Sequence, residues 1–163
     1  MRIRNATSED IPAVMELERQ CATAAHWTER QYQSVFQSRE GDASQRLVLV
    51  MEEESYVRSE PQSKEKSPLI AFLIANQLGA EWELENVIVH PDFRRKGLGT
   101  RLLDELLARA RAANSESVFL EVRESNKAAQ ALYLKRGFEL AGRSKGYYRN
   151  PPEDATLYHH GLN

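Results

Sequence analysis

The 163-residue chain has one cysteine, Cys21, so no internal disulfide can staple it, which suits a reducing compartment. Cys21 falls near the end of an expected helix with no histidine beside it in sequence, so no catalytic role is assigned to it. The chain also has little net charge. Its 22 Lys and Arg against 24 Asp and Glu leave a formal charge of -2, which argues against a general nucleic-acid binder. It lacks any apolar run long enough to span a membrane, and residues 1–10 have no apolar stretch of the kind a signal peptide needs. These absences leave a cytoplasmic protein with no membrane and no nucleic-acid partner. A hydrophobic content of 41% over this length is enough for one domain, 1–163, with a sizeable core.

What is present is most informative between Asn86 and Thr100. The β-branched run Val87, Ile88, Val89 stops at His90-Pro91, where proline removes a backbone donor. A basic turn follows, Arg94-Arg95-Lys96-Gly97-Leu98-Gly99, and opens into a helix with Leu98, Leu102, Leu103, Leu106 and Leu107 at helical spacing. The first amides of a helix have no intrahelical partner and carry partial positive charge, and glycines let the backbone approach an anion. With three added cations, this is a site for a pyrophosphate. Gly-x-x-x-x-Gly-Lys-Ser/Thr is absent, which excludes a P-loop. No third glycine follows Gly99, so the dinucleotide fingerprint fails as well. Arg-Arg-x-Gly-x-Gly after a Val-rich strand instead resembles the acetyl-CoA signature of the GCN5-related N-acetyltransferases (GNAT).

Alternating strands and helices are expected along the chain. Strands fall at 2–4, 47–51, 69–78, 82–89 and 118–123, with the last from 138 onward and at 156–160. Thr7 with Asp10 signals one helix start and Thr28 another; the leucine helix runs over 98–112. Ser125 or Asn126 starts a helix through Leu134 that ends at Gly137. Strands four and five, joined by the leucine helix, form a right-handed βαβ unit within one mixed α/β sheet. The polar stretch 52–68 reads as a mobile hairpin loop between two strands.

The second informative block is 119–138. Val118, Leu120 and Val122 share one strand face, so Glu121 projects from the other with Phe119 and Arg123. A carboxylate in the middle of a sheet needs a reason, and a bridge to Arg123 or simple exposure on an open face would each supply one. Tyr133 stands on the next helix near the face of Asn126, where spacing alone makes it a structural residue.

Leu-Glu-Val-Arg-x-Ser-Asn-x-x-Ala-x-x-Leu-Tyr-x-x-x-Gly-Phe is similar to the second half of the ribosomal-protein S18 alanine N-acetyltransferase family. Gly146-Tyr147-Tyr148 followed by Glu153-Asp154-Ala155, and Trp27-Thr28-Glu29 near the N-terminus, extend the resemblance to nearly the whole chain outside 52–68. The resemblance implies the GNAT fold: a mixed, mostly antiparallel sheet of about seven strands with a parallel β4/β5 pair, and about four helices. It implies acetyl-CoA or coenzyme A as cofactor, with Glu121 as base and Tyr133 as acid. Val87, Ile88, Val89, Arg94, Arg95, Lys96, Gly97, Leu98, Gly99, Thr100 and Asn126 become the cofactor side. Trp27, Glu83, Glu85, Tyr147 and Tyr148 become the acceptor side. Of the two tyrosines, strand alternation turns at least one inward.

Two departures bear on the acceptor. The family's Phe-Pro-Trp is Ala25-His26-Trp27 here, with a one-residue shift, and strand four carries Glu81, Glu83 and Glu85. In the wider superfamily that the chain resembles, a strand-four glutamate often serves as the base, so the resemblance leaves Glu83 competing with Glu121, and an acidic wall suits a cationic acceptor. Three readings stand: a protein N-terminal acetyltransferase, an acetyltransferase for a small amine such as a polyamine, and a non-catalytic acetyl-CoA-binding module. A monomer or a homodimer is compatible with each. No metal is expected, because adjacent His159 and His160 point opposite ways on a strand without a cysteine partner.

Overall fold

The computed structural model describes residues 1–22, 24–37, 45–54 and 67–163. Its elements are β1 (Arg2–Asn5), a 3-10 turn (Ser8–Asp10), α1 (Ile11–Arg19), α2 (Glu29–Val35), β2 (Gln45–Glu52), β3 (Leu69–Leu78) and β4 (Glu81–Val89). They continue with α3 (Leu98–Ala112), β5 (Ser117–Arg123), α4 (Lys127–Lys135), β6 (Glu139–Arg149) and β7 (Pro152–Gly161). The strands form one sheet in the order β1-β2-β3-β4-β5-β7-β6. Among the described residues only β4 and β5 run parallel; the other pairs are antiparallel. The expected mixed sheet of seven strands, its parallel pair and four α-helices are all found among the described residues. Residues 55–66 of the expected 52–68 loop lie outside them. Its described flanks meet where the Glu53 amide donates to the Pro68 carbonyl at 3.2 Å. Among the described residues no helix is long and apolar enough to cross a membrane.

The helices form where the sequence caps them. The Thr7 amide donates to the Asp10 carboxylate at 2.8 Å, and Asp10 also takes a two-pronged ion pair from Arg4 at 2.8 and 2.9 Å. Thr28 accepts from the Gln31 amide while Gln31 reaches back to the Thr28 amide, a reciprocal cap for α2. At the other end of α4, Gly137 takes φ +86, where any other residue would place a Cβ against a carbonyl.

Each face of the sheet has its own core. Leu98, Leu102, Leu103, Leu106 and Leu107 of α3, with Tyr133 of α4, pack on Leu49, Met51, Leu73, Leu84, Leu120 and Val122. On the opposite face, Ile11, Val14 and Leu17 of α1 and Tyr32 of α2 pack on Val48, Val50, Phe72, Ile74 and Ile88. The helical leucine stripe and the period-2 strands thus bury both faces of β2, β3 and β4.

A β-bulge in β4 positions the site. Ile74 of β3 pairs with Asn86 and the next residue, Ala75, pairs with Leu84, leaving Glu85 as the extra residue. Before it, Trp82 and Leu84 face the α3 core; after it, Val87 and Val89 do. The bulge therefore reverses the alternation of the strand. Parallel pairing to β5 extends only from Glu81 with Ser117 to Leu84 with Leu120. Beyond that point β4 pairs only with β3 and β5 only with β7, so the two central strands part.

A paired substitution tests the backbone assignment at the end of α4. Gly137→Ala should cost about 1–2 kcal/mol, because it forces a side chain into the left-handed region and sets a Cβ 3.2 Å from the His160 ring. Gly142→Ala, whose Cβ meets its nearest neighbour at 4.0 Å, should be close to neutral in urea denaturation.

Candidate active site

Parted parallel strands leave a gap whose walls are unpaired backbone. Along 85–89 the edge of β4 turned away from β3 has no strand partner among the described residues, so alternate amides and carbonyls of that edge face the gap. Both helices that follow these strands begin at the same end of the sheet, α3 after β4 and α4 after β5. Ligands of α/β sheets bind at the carboxyl ends of the strands for this reason.

The turn between β4 and α3 is shaped for an anion. Arg95 and Gly97 both adopt positive φ, 59 and 78, which curls the backbone between them. The first intrahelical bond of α3 runs from the Arg101 amide to the Gly97 carbonyl at 3.1 Å, so the amides of Leu98, Gly99 and Thr100 precede the ladder. Arg94, Arg95 and Lys96 are exposed around them. Arg94 is anchored by its Nε donating to the Val89 carbonyl at 3.2 Å, and the Lys96 ammonium lies 4.9 Å from the Phe93 ring centroid. Gly99 has a second reason to lack a side chain: a Cβ there would stand 3.0 Å from Leu132 of α4.

Not every expected cofactor-side residue presents its side chain. Leu98 and Ile88 are buried, one in each core, so only their backbone is available. Val87 and Val89 are half-buried on the α3 side. Asn126 caps α4, its side-chain oxygen accepting from the Ala129 amide at 3.2 Å.

Carboxylates gather on the opposite side of the gap. Glu83 and Glu121 project from the face opposite the α3 core on adjacent strands; Glu83 pairs with Phe119, and Glu121 lies two residues further along β5. Burial raises the pKa of Glu83, the charge of Glu121 raises it further, and Arg46 offsets part of this. Burial likewise raises Glu85, against the pull of Arg46, whose Nη2 lies 3.4 Å from its Oε1. One carboxylate oxygen of Glu85 and one of Glu121 are buried without a hydrogen-bond partner among the described residues. Such oxygens are costly unless something cationic or protic meets them.

Aromatic groups close the site. Burial raises the Tyr147 phenol; Glu121, by charge and hydrogen bonding, raises it further, and the charges of Glu83 and Glu85 add to this. Tyr148 meets Tyr147 edge-on at 5.0 Å, and burial pushes its phenol up to about 12. Strand alternation called for one of this pair to pack inward. Neither does so fully: Tyr147 is 51% exposed and Tyr148 half-buried. The pairing of β6 with β7 slips between Ser144 and Tyr148, where Gly146 donates to Asp154 at 2.8 Å, and the slip breaks the alternation. Tyr133 is buried against Phe138 and Tyr158, with ring centroids 5.8 and 6.2 Å away. Its phenol is raised by burial and then by Tyr148, so it stays protonated at neutral pH. Trp27, half-buried in the loop before α2, lies 5.4 Å from the Tyr32 ring.

In place of a bridge between Glu121 and Arg123, Arg123 pairs with Glu153 at 3.3 Å. The pairings of Arg46 with Glu85 and of Glu153 with Arg123 carry no signal in the linear sequence, because only strand register brings them together. A buried trio also escaped the sequence reading. Asn86 donates to Glu18 at 3.3 Å, and Tyr32 interacts with both.

Residues 11–138 match the model of the acetyltransferase (GNAT) family. The chain belongs to that family. It is 32% identical over 153 residues to the ribosomal protein bS18-alanine N-acetyltransferase of Salmonella typhimurium, covering 93% of this chain and 90% of that one. The crystal structure of the ribosomal-protein-S18-alanine N-acetyltransferase from Escherichia coli superposes with a TM-score of 0.75 at 28% identity, over 99% of this chain and 94% of that chain. Arabidopsis thaliana NAA60, bound to a bisubstrate analogue, shares the fold with a TM-score of 0.81 at 18% identity, over 99% of each chain. This GNAT protein is an acetyl-CoA-dependent N-acetyltransferase. Its β4–α3 turn fits that cofactor: three cations and a helix start suit the pyrophosphate, and the free β4 edge suits an extended, amide-bearing arm.

Coenzyme A binding should follow from that turn. In isothermal titration, Arg95→Ala and Gly97→Asp should each weaken binding by on the order of tenfold, the first by removing a charge and the second by adding a repulsive one. Unchanged affinity in both variants would move the pyrophosphate site elsewhere.

Proposed function

We propose that this acetyltransferase modifies the N-terminal α-amine of a protein, with Glu121 as base and Tyr133 as acid. The observation that carries this reading is the match over 93% of the chain to an enzyme acting on the N-terminal alanine of ribosomal protein bS18. The acceptor side agrees with it. Tyr147 is exposed and Tyr148 half-buried where they stand near Glu121, which leaves that side open and suits a chain end that continues into solvent.

Acetyl-CoA supplies the activated acetyl group and a thiolate leaving group. An α-ammonium has an ordinary pKa near 8, so a carboxylate suffices to take its proton at neutral pH, directly or through one water. Glu121 faces the gap with an unpartnered buried oxygen, and that oxygen receives the proton. A β4 amide between Val87 and Val89 stabilises the negative charge that develops on the carbonyl oxygen. As the C–S bond breaks, the Tyr133 phenol, held protonated by burial, gives its proton to the departing sulfur, and the second proton shed by the attacking nitrogen as it becomes the amide restores the phenol. Val87, Val89 and the α3 turn position the acetyl group, and positioning supplies much of the rate.

A second reading has its own support. Burial first, and neighbouring carboxylates after it, raise Glu83 and Glu85 on a side where Arg46 is the cation that offsets them, and a polyamine would add positive charge there. Glu83 is then the alternative base.

Two measurements decide. Peptides beginning with Ala or Ser should be acetylated on the α-amine with a kcat/KM well above that for spermidine or free lysine; turnover of polyamines alone would overturn the protein acceptor. Glu121→Gln and Tyr133→Phe should each lower kcat by on the order of a hundredfold with little change in coenzyme A affinity. Full activity in Glu121→Gln with a large loss in Glu83→Gln would place the base on β4.

A further inference from the structure

Arg123 lies two residues beyond Glu121, on the same face of β5, yet makes its contacts with a different part of the chain. Its Nη1 donates to the Pro151 carbonyl at 3.3 Å and to the Glu153 carboxylate at 3.3 Å. Its Nη2 reaches the Asn150 carbonyl at 3.5 Å, and its Cζ lies 4.1 Å from the centroid of the Tyr148 ring. Glu153 also accepts from the Ser125 amide at 2.6 Å. The pair thus joins the end of β5, the turn that starts α4 and the β6–β7 hairpin. Both side chains are 19% exposed, so water screens this pair less than a surface one.

Arginine suits this place for a physical reason. A planar guanidinium can lie over a tyrosine ring while its in-plane N–H groups meet carbonyl and carboxylate oxygens; a lysine ammonium meets only part of that set. The hairpin needs such a tie, because β6 is an edge strand whose register slips just before Tyr148. The cofactor turn at 94–100 is held by other partners, Val89 and Phe93.

We infer that Arg123 is a positioning residue for the acceptor side: through Tyr148 it holds Tyr147 beside Glu121, and it leaves cofactor binding unaffected. This rests on the reading that the tyrosine pair borders the acceptor, not on which amine is accepted.

The test separates the two halves of the site. Arg123→Ala should raise the acceptor KM about tenfold while the acetyl-CoA KM stays within about twofold, and Arg123→Lys should recover part of the loss. Tryptic cleavage after Lys145 and Arg149, followed by mass spectrometry on the unliganded protein, should be several-fold faster in Arg123→Ala, because the hairpin opens more often. If wild-type protein acetylates only small amines, the peptide reading fails, and the same KM split measured with that amine still decides the role of Arg123. Unchanged cleavage with an unchanged acceptor KM would overturn the inference. An equal rise in both KM values with a lowered Tm would overturn it too, by making Arg123 a general stabiliser.

Discussion

The parting of β4 and β5 after Leu84 and Leu120 is the constraint on which the rest of the site depends. Two adjacent parallel strands at the centre of a sheet would ordinarily satisfy each other's backbone groups along their whole length. Here the ladder stops after four residue pairs, and the extra residue Glu85 bends β4 at that point. Each consequence needed for acetyl transfer follows. A free polar edge becomes available to an amide-bearing arm, and the two helix starts stand at the same end of the sheet. Glu121 on β5 is left beside the opening without a strand neighbour on its β4 side.

Charge then divides the opening into two halves. Cations and unbonded helix amides lie at the α3 turn, whereas Glu83, Glu85 and Glu121 lie on the opposite face with Arg46 as partial relief. That separation of charge suits the proposed transfer from an anionic cofactor on one side of the gap to a cationic amine on the other. The raised carboxylates cost stability at neutral pH, since ionised groups are held where burial disfavours them. That cost resides at the site and not in the cores on either face of the sheet.

Much of this was legible in the sequence because it rests on local pattern. The leucine stripe set α3 at Leu98–Ala112, the apolar run set β3 at Leu69–Leu78, and the turn chemistry at Thr28 and Gly137 marked helix ends. The bulge was missed although it left a trace: apolar positions are even at Trp82 and Leu84 and odd at Val87 and Val89. What could not be read was pairing across strands. Arg123 has two glutamates within reach of its fold, Glu121 by local spacing and Glu153 by register, and only the sheet order selects the second. Arg46 beside Glu85, and Glu18 with Asn86 and Tyr32, are likewise products of tertiary packing. The relation of Tyr147 to Tyr148 depended on a register slip that strict alternation cannot anticipate.

Amide hydrogen exchange of β4 measures the central feature most directly. In the free protein the alternate amides of 85–89 that face away from β3 should exchange fast for a central strand, while those bonded to β3 stay protected. Saturating coenzyme A should slow these open-edge amides and those of Leu98, Gly99 and Thr100 together, and leave the Tyr147–Tyr148 hairpin unchanged. Full protection along both edges of β4 without the cofactor, or protection by coenzyme A elsewhere but not on 85–89, would contradict the parted-strand site.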